Sequence, residues 1–181
     1  MSNKALFLDR DGIVNLDHGY ASKPDDIDFV EGIFELCRYF QQRGYLIIIV
    51  TNQSGIARGY YSEHAFSALM EWMTKQFAQQ GVILTDTFYC PHHPEHGKGP
   101  YLRQCTCRKP QPGMLFDAAK KYDLDLATCV MVGDRLSDME AARSAGVLNR
   151  FLVNQQQDSH DGCHKVTELK QIIPTVQRLL G

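Results

Sequence analysis

Two aspartates one residue apart, in Asp9-Arg10-Asp11-Gly12, stand at the end of a short apolar run. If the backbone stays extended, both carboxylates point into one space. Their repulsion, unless a cation relieves it, pushes one toward its protonated form. Such a pair offers a nucleophile and an acid together. Thr51-Asn52-Gln53-Ser54-Gly55 adds a hydroxyl and a turn whose backbone N–H groups suit phosphate oxygens. Arg108-Lys109-Pro110 brings a planar fork and a compact point charge, cations of complementary type. Gly133-Asp134-Arg135-Leu136-Ser137-Asp138 sets one acid after another apolar run and a second four residues on, with Asp134 or Ser137 available to cap the helix that follows.

A separate group consists of soft ligands. Cys90-Pro91-His92-His93 and Cys105-Thr106-Cys107 flank an insertion running from Pro91 to Pro112. Sulfur and nitrogen donors in fours suit tetrahedral Zn²⁺. His93 and His96 compete with His92 for the fourth position. About 20 structureless residues inside a compact domain is improbable without something to order them. Zinc would staple this loop, about residues 90–109, and would thereby fix the adjoining Arg108 and Lys109. Cys37, Cys129 and Cys163 stand alone, and the first two read as buried free thiols.

The elements that must carry these groups alternate short apolar runs with helical periodicity, the pattern of a parallel sheet with crossover helices. Strands are predicted at Ala5–Leu8, Tyr45–Val50, Asp86–Cys90, Cys129–Val132 and Arg150–Val153. Helices are predicted over Gly32–Arg43, from a Ser62 cap to Gly81, over Met114–Tyr122 and over Ser137–Ala145. A terminal helical region, Leu169–Leu180, must kink or restart at Pro174. The reactive residues fall just past the carboxyl ends of these strands, the edge where open α/β sheets bind ligands.

Composition bounds the rest. The chain has 181 residues, 44% hydrophobic and 22% charged, enough for one sizeable core. Nineteen basic against 21 acidic side chains give a net charge of −2, so no basic field exists to draw in nucleic acid or an anionic membrane. No apolar run approaches the roughly 18 residues of a membrane span, and charges stand where a secretory signal would be apolar. A cytoplasmic protein is expected.

The ordered set D-x-D-G, Thr, Lys and G-D-x-x-x-D on strand ends resembles the haloacid dehalogenase (HAD) superfamily of phosphohydrolases, from Asp9 through Asp138. That resemblance implies a three-layer α/β/α sandwich with a mainly parallel, Rossmann-like sheet, here a single domain over 1–181. No long insertion follows the first strand or Thr51, so a capless member with a zinc-binding loop is expected. By the resemblance, Asp9 is the nucleophile that forms an aspartyl phosphate, and Asp11 protonates the leaving group and then activates water. Asp9, Asp134 and the backbone carbonyl of Asp11 hold Mg²⁺, Thr51 and Lys109 grip the phosphoryl group, and Asp138 orients its neighbours.

The strings FLDRDGIVNLDHGY, VTNQSGIARG, YCPHHP, CTCRKPQPGM and MVGDRLSDM are similar to a zinc-loop branch of that superfamily acting on small phosphorylated sugars. This similarity implies zinc on Cys90, His92, Cys105 and Cys107. It also implies Asp17, His18, Gly19 and Tyr20 along the sugar side, with Thr51, Asn52, Gln53, Ser54, Arg108, Lys109 and Arg135 completing the pocket. Ile13 stands where many relatives have Thr, and Arg135 where a close relative type has Lys. A histidinol-phosphate phosphatase is the alternative within the superfamily. The twelve residues His93 through Gln104 make a longer spacer than that group has, which favours the sugar branch. A phosphorelay receiver would place its phosphate-accepting Asp after the third strand. A zinc-dependent nucleic-acid module would need more cations than Lys98, Arg103, Arg108 and Lys109 supply. The expected partner is a small phosphorylated sugar, with no nucleic acid, no membrane and a monomeric state.

Overall fold

The computed structural model describes residues 2–153 and 162–180. Strands β1 (Lys4–Leu8), β2 (Tyr45–Asn52), β3 (Leu84–Cys90), β4 (Val130–Gly133), β5 (Asn149–Val153) and β6 (His164–Val166) form one sheet in the order β3-β2-β1-β4-β5-β6. All five pairings are parallel. The helices are α1 (Ile33–Gln41), α2 (Ser54–Ala57), α3 (Glu63–Gln79), α4 (Gly113–Tyr122), α5 (Leu136–Ala145) and α6 (Ile172–Leu180).

The strands are apolar throughout because both faces of the sheet are covered. Leu6, Leu8, Ile47 and Ile49 pack with α1, α3 and α6 on one face. Their alternates Ala5, Phe7, Ile48 and Val50 pack with α4 and α5 on the other. The two-residue strand period therefore divides the core into the two halves of an α/β/α sandwich. Ser62 caps α3 by accepting the Ala65 N–H at 3.0 Å, as its position before the apolar stripe predicts. Pro174 is tolerated because the terminal segment restarts: a 3₁₀ turn over Leu169–Gln171 gives way to α6, whose third residue is the proline, where no intrahelical N–H is needed.

Three differences from the predicted elements bear on function. β2 runs two residues beyond Val50, carrying Thr51 and Asn52 on regular strand backbone. Neither Asp134 nor Ser137 caps α5; Arg135 holds the cap position, and the Asp138 carboxylate accepts its N–H at 3.1 Å. β6 escapes the sequence because only its last residue, Val166, is buried, which leaves no periodicity to read. The chain leaves β1 toward β2 on one side and β4 on the other, so the carboxyl ends of these three strands open the crevice where such sheets bind ligands. Among the described residues no helix is long and apolar enough to cross a membrane.

Candidate active site

Asp9 directly follows β1, Asp134 and Asp138 follow β4, and Lys109 arrives from the long insertion to meet them. The Lys109 ammonium donates to Asp9 Oδ1 at 2.8 Å and to the Val50 carbonyl at 2.8 Å, and stands 2.7 Å from Asp138 Oδ1. All three of its protons are thus directed, at a side chain only 2% exposed. Asn52 fixes the lysine backbone by accepting its N–H at 2.9 Å and donating to its carbonyl at 3.1 Å. Carboxylate oxygens of Asp9, Asp134 and Asp138 lie within 4.8 Å of one another.

Three carboxylates and one ammonium leave this core with two excess negative charges when fully ionised. Burial, then the Asp138 charge, with Asp134 adding to it, holds Asp9 well above the ordinary carboxylate range, against the opposing pull of Lys109. Asp134 is raised to about 6 by burial and Asp138, and is hydrogen-bonded to Asp9. The repulsion acting on Asp9 therefore comes from across the sheet edge and not from Asp11, as the D-x-D spacing by itself suggests. Lys109 is pushed above its ordinary value by Asp138 and Asp9, which outweigh its burial. A crowded set of hard oxygen donors with a twofold charge deficit fits a divalent ion such as Mg²⁺. Gly12 makes the crowding possible: its φ is +94°, and a Cβ there would lie 2.2 Å from Asp134 Oδ2.

Asp9, Lys109 and Asp138 form the floor of a cavity of about 540 Å³, whose lining does not include Asp134. Asp11 enters it from a turn, held by Arg10, Asn15 and Gln53. Asp17, Gly19, Tyr20, Asn52, Gln53, Ser54, Arg108, Lys109 and Arg135 are on its wall. Arg135 reaches Asp17 at 3.3 Å, an ion pair across the wall. Two predicted residues are not on the wall. His18 pairs with Asp28 at 2.7 Å. Thr51 is 1% exposed and its hydroxyl accepts from Gln53 at 2.9 Å, so it lies behind the lining. Tyr61, Pro110 and Ser137 line the cavity without having been anticipated. A tyrosine seven residues past a phosphate turn carries no local signal. Ile13 is wholly buried in the core, so its departure from Thr does not reach the cavity.

At one end of the insertion Cys90, His92, Cys105 and Cys107 converge, their donor atoms all within 4.8 Å. The Sγ–Sγ distances of 3.0, 3.4 and 3.5 Å are too long for a disulfide. They approach the edges of a tetrahedron around a metal with about 2.3 Å bonds to sulfur. His92 Nδ1 is 3.5 Å from Cys107 Sγ and 3.7 Å from Cys90 Sγ. His93 is not among the convergent donors; its Nδ1 accepts the N–H groups of Glu95 and His96 at 3.1 and 3.0 Å. Cys107 is lowered to about 5, first by the Cys90 thiol, while Cys90 is raised by Cys107 and by burial.

Two aspartates just past β1, Asp134 and Asp138 past β4 and a buried lysine between them, on this parallel sheet, are the arrangement of a capless HAD-like phosphohydrolase. A HAD-hydrolase-like family model matches residues 106–179. The chain is 51% identical over 84% of its length to D-glycero-beta-D-manno-heptose-1,7-bisphosphate 7-phosphatase of Vibrio cholerae, covering 82% of that protein. It is 46% identical over 96% of its length to the D-glycero-alpha-D-manno-heptose-1,7-bisphosphate 7-phosphatase of Campylobacter jejuni, covering 95% of it. The crystal structure of D,D-heptose 1,7-bisphosphate phosphatase from B. bronchiseptica, complexed with magnesium and phosphate, superposes with a TM-score of 0.84 at 33% identity, over 97% of this chain and 99% of that one. The chain belongs to the D-glycero-D-manno-heptose-1,7-bisphosphate 7-phosphatase family.

Proposed function

We propose that this chain is a Mg²⁺-dependent phosphatase that removes the C7 phosphate of D-glycero-D-manno-heptose 1,7-bisphosphate, in the supply of nucleotide-activated heptose for lipopolysaccharide core or another surface glycan. The observation that carries this reading is the cluster of Asp9, Asp134, Asp138 and Lys109, of which Asp9, Asp138 and Lys109 floor a cation-lined cavity, in a chain of this family. Asp9 attacks phosphorus in line to give an aspartyl phosphate, since it stands foremost at the strand end with Lys109 on one oxygen. Asp11 gives its proton to the departing sugar oxygen and then takes one from the water that hydrolyses the phosphoenzyme. Asp9, Asp134 and the Asp11 backbone carbonyl would hold Mg²⁺, which when bound supplies charge neutralisation for the phosphoryl oxygens. Asp138 orients Lys109. Lys109 and Thr51 hold the phosphoryl group: the Thr51 hydroxyl accepts from Gln53 and keeps its own proton to donate, and Lys109 redirects one of the protons it gives to Asp9, Val50 and Asp138.

Arg108 and Arg135 are the cations on the wall left for the rest of the bisphosphate, because Lys109 is engaged by the floor. Cys90, His92, Cys105 and Cys107 hold a structural Zn²⁺ that fixes the backbone entering Arg108 and Lys109. The protein works as a cytoplasmic monomer. The test is phosphate release from heptose 1,7-bisphosphate anomers and from histidinol phosphate, with the position cleaved read by ³¹P NMR. Loss of the C7 phosphate in the wild type and no turnover by Asp9→Asn are expected. Wild-type turnover by that variant, or preference for histidinol phosphate, overturns the reading.

A further inference from the structure

The turn between the two catalytic aspartates is built around a side chain that the reaction above does not use. Arg10 is wholly buried. Its Nε and Nη2 donate to Asp11 Oδ1 at 3.2 and 2.9 Å, and Nη2 also reaches Asp11 Oδ2 at 3.2 Å and the Ala21 carbonyl at 2.9 Å. Its guanidinium lies 5.7 Å from the centre of the Phe66 ring. Among the described residues Asp11 is the carboxylate it pairs with, and Nη1 has no hydrogen-bond partner. A guanidinium cannot shed its charge when buried, so this position depends on its hydrogen bonds to Asp11 and the Ala21 carbonyl and on the Phe66 ring. The Arg10 carbonyl meanwhile accepts the N–H groups of Ile13, Val14 and Asn15 at 3.2, 2.8 and 3.2 Å. The turn so closed returns Asn15, whose Nδ2 donates to Asp11 Oδ1 at 3.0 Å.

The two oxygens of Asp11 are consequently unlike. Oδ1 receives three donors, the nearest at 2.9 Å. Oδ2 faces the shared Nη2 and Gln53 Nε2, both at 3.2 Å. Gln53 is in turn held by the Tyr61 hydroxyl on its carbonyl, and the Tyr61 ring rests against Gly55, where a Cβ would come 2.2 Å from a ring carbon. We propose that Arg10 is the positioning residue of the general acid–base: with Asn15 it pins Oδ1 of Asp11, leaving Oδ2 as the oxygen that carries the transferred proton.

This inference rests on the assignment of Asp11 as the acid–base. In the first step the Oδ2 proton passes to the sugar oxygen as its bond to phosphorus breaks and the bond from Asp9 to phosphorus forms. In the second, ionised Oδ2 takes a proton from water while the water oxygen bonds to phosphorus and the Asp9–phosphorus bond breaks. The proton is then back on Oδ2. A lysine at position 10 keeps the charge but has no fork to hold one oxygen and spare the other.

The test compares leaving groups in single turnovers at saturating Mg²⁺. An alkyl phosphate ester releases an alkoxide that needs the proton; p-nitrophenyl phosphate releases a phenolate that does not. Arg10→Lys should lower alkoxide release about 100-fold more than nitrophenolate release, the scale of a general acid, with little change in KM. Asn15→Ser and Tyr61→Phe, which remove no buried charge, should also lower alkoxide release more than nitrophenolate release, by about tenfold or less. If Arg10→Lys does not fold, those two variants carry the test. Equal losses on both esters, or no loss, would mean that the turn is merely structural and would overturn the proposal. Asp11→Asn is the control: if its defect is independent of the leaving group, the assignment of Asp11 fails rather than that of Arg10.

Discussion

Asp138→Asn removes one charge from the buried core while leaving its shape nearly unchanged. Asp138 Oδ1 is 2.7 Å from Lys109 Nζ, with the two side chains 1% and 2% exposed, and Oδ2 accepts the Arg135 N–H at 3.1 Å. Both neighbours are donors. An asparagine has one acceptor oxygen, so its amide nitrogen must face one of them, and at least one charge-assisted bond is lost. Such bonds contribute about 1.5–3 kcal/mol. An opposing effect accompanies this: Asp138 is a leading cause of the raised Asp9 and Asp134 carboxyls, and its removal relieves that repulsion. Without metal the two effects offset, and stability should change by about 1 kcal/mol or less. With Mg²⁺ bound the ion already relieves the repulsion, so only the loss remains and the loaded variant should be destabilised by about 2 kcal/mol. Lys109, released from Asp138, tightens on Asp9 and blunts it, lowering kcat by roughly 10- to 100-fold at 1.36 kcal/mol per decade. Thermal melts with and without Mg²⁺, together with phosphate release at saturating substrate, read each part. Equal destabilisation in both states, or an unchanged kcat, would refute the reasoning.

Gly12→Ala puts a Cβ onto Asp134 at a φ of +94°; backbone strain of about 1–2 kcal/mol is the smaller effect, and displacement of Asp134 should abolish the Mg²⁺-dependent rise in Tm. A Mg²⁺ shift equal to the wild type's would show that Asp134 does not hold the ion. Asp134 stands at about 6 against an ordinary 3.8, so its contribution to metal-free stability is complete below pH 4 and is lost as pH rises through 6, on the order of 3 kcal/mol. Urea melts from pH 4 to 7.5 should show that loss in chelator and its disappearance in saturating Mg²⁺; parallel curves would contradict it. Stripping a metal from the Cys90, His92, Cys105 and Cys107 set should speed hydrogen exchange over residues 92–108 and raise KM several-fold, because the backbone carrying Arg108 and Lys109 loses its anchor. Unchanged exchange and KM in demonstrably zinc-free protein would exclude that coupling.

What could be read before folding was what neighbouring residues determine among themselves. Apolar runs of strand length, the helical stripes between them and the Ser62 cap are local patterns, and they placed β1 to β5 and the main helices to within a few residues. Asp9, Asp11 and Asp134 were legible because carboxylates recur just past strand ends, which the sheet order brings together, and Lys109 because it stands beside Arg108 next to the cysteine pair. The cysteine pairs were legible for the same reason, being two short clusters of one ligand chemistry.

Tertiary structure decided whichever relations depend on distance through space. His92 joins the thiols and His93 does not, because the fold brings only the His92 ring to within reach of the three sulfurs. The charge that most raises Asp9 is Asp138, far along the chain and a few ångströms away, while adjacent Asp11 is absorbed by Arg10. Thr51 is turned behind Gln53, and Tyr61 reaches the cavity through Gly55. Burial and Coulomb interaction act over ångströms, not over residue numbers, so a sequence announces which groups can react and only the packed chain selects their partners.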